Sequence, residues 1–161
     1  MYTLFYSLVR SRLEYGSLVW NPIYGQYTTL LEKVQKRFLK FLVFKVDGVY
    51  PPRGSDYEHM LMRFGLMSLE KRRSQLAVLF LYKLLNNKID CSELLAKILN
   101  FSVPRLNSRQ DITFHCKRAQ TNLLYKSPIE FMCRKANLIS SVCDLHSSSF
   151  NVVKIKTHCH L

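Results

Sequence analysis

An all-α domain of about four to six helices is the architecture this sequence predicts. Three observations carry that expectation. Apolar residues recur at helical spacing over much of residues 1–99, cap and stop signals punctuate them, and strand-like alternation is scarce. The 161 residues are 48% hydrophobic, which suits one core at this length and excludes disordered or collagen-like composition.

The first segment, residues 1–19, places Met1, Leu4, Phe5, Leu8, Val9, Tyr15 and Val19 on one broad arc, with Arg10 and Glu14 opposite. It reads as an amphipathic helix. The apolar pattern begins at the first residue with only Thr3 to cap it, so the chain is expected to be the tail of something longer. Trp20-Asn21-Pro22 and Gly25 end the segment.

Residues 29–44 form the clearest helix. With Lys33 at 0° and a step of about 100°, Lys36 falls near −60°, Arg37 near 40° and Lys40 near −20°, one narrow stripe of cations. Leu31, Val34, Phe38, Phe41 and Leu42 lie at about 80° to 180° and predict the buried face. Like charges at these spacings repel by a few tenths of a kcal/mol each, a cost that an anion along the helix reverses. A plain solvated face is the alternative.

Gly48, Pro51, Pro52, Gly54 and Ser55 predict a loop, and Tyr57–Phe64 a short helix closed by Gly65. Ser68 then caps a helix over residues 69–86 that is apolar on nearly every face between Leu76 and Leu85, as a central buried helix would be. Its first turn holds Lys71-Arg72-Arg73, cations that oppose the macrodipole by about 0.3–1 kcal/mol each and that a bound phosphate would accommodate. A solvated face is again the alternative.

Asp90-Cys91-Ser92-Glu93 fits a capping box for a helix to about Leu99. From Asn100 to Lys126 the helical period disappears, and an irregular, hairpin-bearing segment is expected, with Ile112–Cys116 as a short strand. Its cations, among them Arg105 and Arg109, are interleaved with Phe101, Phe114 and Tyr125, a mixture that suits phosphate pairing and base stacking or an ordinary loop over a core. Ser127-Pro128-Ile129-Glu130 predicts a helix from Pro128 to about Ser140. Beyond it Ser147-Ser148-Ser149 and a polar end predict a flexible tail over 144–161. The resulting division is 1–99, 100–143 and 144–161.

Composition narrows the function classes. The 24 Lys and Arg against 11 Asp and Glu leave a net +13, which calls for an anionic partner such as nucleic acid or an acidic membrane surface. No stretch reaches the roughly 20 apolar residues of a spanning helix, and the N-terminus lacks a secretory signal. Five irregularly spaced cysteines fit free thiols in a reducing compartment, so an intracellular protein, nuclear or cytoplasmic, is expected.

Chemistry has little to rest on. The acids are scattered, with no Asp-Asp pair and no glycine-rich phosphate loop, so neither metal-assisted nor acid–base catalysis is expected of this chain alone. His115, Cys116, Cys133, Cys143, His146, His158, Cys159 and His160 crowd the last third. Cys143-x2-His146 with His158-x-His160 only loosely approximates a zinc pattern, and no metal ligand is assigned.

The ordered motifs resemble a known family. Ser7-Leu8-Val9-Arg10, Leu13-Glu14-Tyr15-Gly16 and Val19-Trp20-Asn21-Pro22 resemble the segment just downstream of the polymerase core in reverse transcriptases of LINE-type (non-LTR) retrotransposons, especially jockey-like elements. Leu31-Glu32-Lys33-Val34-Gln35-Lys36-Arg37-Phe38-Leu39 is similar to the family's I-E-x-V-Q-x-x-F-L helix, and Leu66-Met67-Ser68-Leu69-Glu70-Lys71-Arg72-Arg73 to its L-x-S-L-x-x-R-R stretch. Leu81–Asn86, Ile89-Asp90-Cys91, Phe101-Ser102-Val103-Pro104 and Ser127-Pro128 follow in family order, so the likeness covers about residues 1–140.

The resemblance implies a thumb-like helical region at 1–99 whose partner is the template–primer duplex. In that family the F/Y-x-D-D metal site and the endonuclease lie upstream, and this chain contains neither. A fragment without polymerase activity is therefore implied, separated or degenerate, with no cofactor of its own and magnesium only for the absent core. The candidate nucleic-acid contacts are Lys33, Lys36, Arg37, Lys40, Lys71, Arg72, Arg73, Arg105 and Arg109. A helical protein-interaction module, offering apolar surface around Leu4, Phe5 and Trp20, is the rival expectation, and a small zinc protein the third.

Overall fold

The computed structural model describes residues 2–21, 24–98, 113–116 and 120–160. The chain is all-α and divides into two compact units, Met1–Arg73 and Ser74–Leu161, with the boundary inside one helix. Among the described residues the helices outnumber the predicted four to six, because two of the expected helices break into shorter pieces or gain a successor.

In the first unit the N-terminal helix is not uniform. It runs as α1 (Tyr2–Leu4), a π-helix (Phe5–Arg10), α2 (Ser11–Glu14) and α3 (Ser17–Trp20). Gly16 breaks it with φ +62°, a backbone region that glycine enters without steric cost. The indole N–H of Trp20 donates to the Tyr15 carbonyl across this turn at 2.5 Å. The wider π turn moves side chains off the 3.6-residue register on which the amphipathic reading depends. The expected faces hold only in part: Phe5 is buried as predicted, but Leu4 is 62% and Leu8 60% exposed, while Arg10 is 8% exposed.

The long α4 (Gly25–Asp47) follows and ends at Gly48. The Asp56 carboxylate caps α5 (Tyr57–Arg63) by accepting from the Glu58 N–H at 3.0 Å, and Gly65 closes it in the left-handed conformation, as its spacing predicts. Leu39 and Leu42 of α4 pack with Met60, Leu61 and Leu66 to form this unit's core, flanked by Phe38, Val43, Tyr57 and Phe64. Phe5 stacks flat on Phe38 at 3.7 Å between centroids.

α6 (Leu69–Leu85) carries the buried run expected of it, with Ala77, Val78, Leu79, Leu81, Tyr82 and Leu84 all out of solvent. In the second unit it is joined by α7 (Ser92–Ile98), α8 (Asn122–Tyr125), α9 (Pro128–Asn137) and α10 (Phe150–His160). α9 begins at Pro128 as predicted, although Ser127 makes no side-chain cap bond and the expected capping box does not form. Most of the predicted hairpin-bearing segment lies outside the described residues. Within it, Phe114 forms an isolated β-bridge, and Asn137 grips it: the Phe114 N–H donates to Asn137 Oδ1 and Asn137 Nδ2 donates to the Phe114 carbonyl, both at 2.9 Å.

The tail corrects the expectation of flexibility. Val153 and Thr157, one helical turn apart on α10, are fully buried. Gln75 Nε2 donates to the Lys154 carbonyl at 2.9 Å, the Tyr82 hydroxyl donates to the Ser148 carbonyl at 3.1 Å, and Asn86 Nδ2 donates to the Leu145 carbonyl at 3.1 Å. Three side chains of α6 and its end therefore hold the serine-rich loop and α10 in place. Among the described residues no helix is long and apolar enough to cross a membrane.

Two predictions follow from the second unit. Asn137→Ala strips a donor and an acceptor from Phe114, whose side chain is buried, and should cost about 1–3 kcal/mol in urea unfolding. Asp144 accepts from the His146 N–H at 2.9 Å and the Ser147 hydroxyl at 2.7 Å, which hold its carboxyl below the ordinary 3.8. A depressed folded-state pKa adds stability above the unfolded value, and that stability disappears as pH falls through the folded one. The acid limb of the wild-type stability profile below about pH 4 should accordingly flatten in Asp144→Asn, measured by urea titration at stepped pH.

Candidate nucleic-acid interface

The four cations of α4 lie on the stripe the helical wheel predicts, but the buried face does not adjoin it as expected. Gln35, Leu39 and Leu42 are buried, at about −160°, −120° and 180° on the wheel. The buried centre is therefore rotated by roughly 80° from the predicted one, onto the side opposite Lys33 and Arg37. Val34 and Phe41, expected inside, stand partly in solvent.

The cause is polar and lies in the loop before α6. Gln35 Nε2 donates to the Met67 carbonyl at 2.7 Å, and the neighbouring Glu32 carboxylate accepts from the Glu70 N–H at 2.8 Å and from the Tyr57 hydroxyl at 2.5 Å. Burial and this adjacent carboxylate push the Tyr57 phenol well above its ordinary 10.0, so it keeps its proton and remains a donor. Hydrophobic periodicity cannot register two polar side chains that must turn inward to reach distant backbone.

The rotation separates the four cations into two pairs. Lys33 and Arg37 are exposed. Lys36 and Lys40, nearer the buried side, are half-buried: Lys36 Nζ sits 5.9 Å from the Tyr57 ring centroid, and Lys40 Nζ donates to the Pro52 carbonyl at 3.0 Å beside the Tyr50 ring. Lys40 already has a partner inside the unit.

The first turn of α6 differs more from its expectation. The Ser68 hydroxyl caps it as predicted, accepting from the Lys71 N–H at 3.3 Å. Of the three cations only Lys71 is exposed. Arg72 Nε pairs with Glu14 at 3.3 Å, and Arg73 is 3% exposed. Burial pulls the Arg73 pKa down, while Glu32, Glu70 and Glu14 act the other way and favour its charge. Glu14 thus answers Arg72, whereas the Arg73 guanidinium is buried with its Nη1 lacking a hydrogen-bond partner, and the nearby carboxylates only partly offset the cost of its burial. Arg105 and Arg109 lie outside the described residues.

One cluster escapes the wheel altogether. Arg10 Nε pairs with Glu14 at 2.6 Å, so a single carboxylate joins Arg10 to Arg72. The i, i+4 spacing of Arg10 and Glu14 is its only local signal. Among the described residues no three His, Cys, Asp or Glu side chains converge as metal ligands would.

No protein-family model matches the chain, and comparison with curated proteins and with solved structures returned no match. Glu14 meets Arg72, Glu32 meets the α6 N-terminus and Gln35 meets Met67, so residues far apart in sequence serve one another within the first unit.

Glu32→Ala removes two hydrogen-bond acceptors and a charge that favours the buried Arg73 cation. It should cost about 1–3 kcal/mol in urea unfolding, because the Tyr57 hydroxyl and the Glu70 N–H lose their acceptor. Arg73→Met removes, at similar volume, a buried cation whose Nη1 has no hydrogen-bond partner, and should cost clearly less.

Proposed function

We propose that the chain binds the sugar–phosphate backbone of nucleic acid along α4, as the thumb-side part of a LINE-type reverse transcriptase without its catalytic palm. The observation that carries this reading is the placement of Lys33 and Arg37: exposed, about one helical turn apart, and opposite the buried face of a 23-residue helix. The net charge of +13 and the ordered family motifs support it. Contacts of this kind follow backbone phosphates and do not read sequence, which suits a grip on a template–primer duplex of any sequence. In this reading the chain performs no chemistry of its own, Lys71 adds a contact at the start of α6, and Arg73 acts as a structural charge.

A helical protein-interaction module is the second reading, favoured by the exposure of Leu4, Leu8, Tyr15 and Val19. Salt separates the two, because backbone contacts weaken steeply as salt rises and apolar ones do not.

Lys33→Gln with Arg37→Gln should lower duplex affinity and reduce the slope of log K against log salt by about 2, near 0.9 for each lost phosphate contact. Lys36→Gln with Lys40→Gln should reduce it less, since Lys40 is bonded to Pro52. Fluorescence anisotropy over a salt series measures both, and an unchanged slope in the first double variant would overturn the assignment.

A further inference from the structure

The first unit also holds an open pocket of about 390 Å³ lined by Tyr6, Arg10, Ser11, Glu14 and Arg72. That volume lies toward the small end of ligand pockets, which run roughly 300–1,000 Å³. Two guanidinium groups and one carboxylate leave this lining with a net positive charge. We propose that it is a binding site for a phosphate group.

Four observations converge on it. Arg10 closes a six-residue π-helix, a rare geometry that concentrates at functional sites, and that geometry turns a cation inward which an α-helix would have left in water. Its guanidinium engages Glu14 through Nε, while a guanidinium carries its other donors on the two terminal nitrogens. The Tyr6 ring lies 4.9 Å from the guanidinium carbon and holds the group from one face. Arg72 reaches the same carboxylate from another element, so Glu14 acts as a positioning residue that sets two arginines around one space.

The chemistry selects the ligand class. A planar fork matches two oxygens of a phosphate. Glu14 offsets one of the two positive charges, so the site suits a single phosphate group and not a run of them. It stands independently of the α4 stripe, because none of its residues belongs to that helix. Free phosphate and the terminal phosphate of a nucleic-acid strand present the same group.

Calorimetry on the full chain in chloride buffer, with inorganic phosphate as titrant, tests the site. Saturable binding is expected, at least tenfold weaker in Arg10→Gln and intermediate in Arg10→Lys, which keeps the charge and loses the fork. Glu14→Gln keeps a carbonyl oxygen to hold both guanidinium groups while removing the opposing charge, so binding should tighten severalfold, and unchanged binding would show that the charge balance of this site does not govern the affinity. Circular dichroism identifies variants that fold, and if Arg10→Gln does not, Arg10→Lys and Glu14→Gln decide.

A 5′-phosphorylated oligonucleotide set against its 5′-hydroxyl form separates the sources. A preference lost in Arg10→Lys but kept in Lys33→Gln/Arg37→Gln assigns a strand end, and equal binding of the two forms assigns free phosphate. Absence of saturable phosphate binding to the wild type, or undiminished binding in a folded Arg10 variant, overturns the proposal without touching the α4 stripe.

Discussion

The first unit depends on the carboxylate of Glu32. One oxygen accepts from the α6 backbone at Glu70 and the other from the phenol of Tyr57 on α5, so a single side chain of α4 holds the two elements that follow it. The same charge favours the buried guanidinium of Arg73. With Gln35 bonded to Met67 one turn along, α4 has little freedom to rotate about its axis. That restraint decides which of its cations meet water: Lys33 and Arg37 are exposed because Glu32 and Gln35 are not free to be.

A second carboxylate does comparable work nearer the N-terminus. Glu14 lies between Arg10 and Arg72, and the π-helix supplies the displacement that brings Arg10 inward. Buried charges are costly alone and tolerable when each has a partner of opposite sign, so these polar contacts favour one arrangement of the helices over near alternatives that would strand a charge. The apolar core, made chiefly of Leu39, Leu42, Met60, Leu61 and Leu66, supplies cohesion but less discrimination between rotated packings.

Local signals explain what was legible in advance. The all-α class, the buried stretch of α6, the Ser68 cap, the Gly65 stop and the start of α9 at Pro128 each follow from residues within a few positions of one another. Long-range polar contacts explain most of what was not. The rotation of α4 follows from Gln35 reaching a carbonyl 32 residues away, and the order of the tail from Gln75 reaching one 79 residues away. For the candidate interface the stripe itself was readable, since four spacings define it. The partition of its cations was not, because Pro52 and Tyr50 reach Lys40 only once the chain has folded. Arg73 looked like surface because charge in a sequence carries no mark of burial. The order of α10 had a signal in the i, i+4 pair Val153 and Thr157, masked by the serines before it.

The turn at Gly16 has a spectroscopic consequence. Trp20 is the only tryptophan in the chain, and its indole is bonded to Tyr15 across that turn while remaining 41% exposed. Its emission is therefore a local reporter of the hinge between α2 and α3. Far-ultraviolet dichroism, by contrast, sums over the helices of both units. If the two units melt apart, the fluorescence and dichroism transitions will not superimpose, and the separation between them will measure how far the shared helix α6 couples the halves.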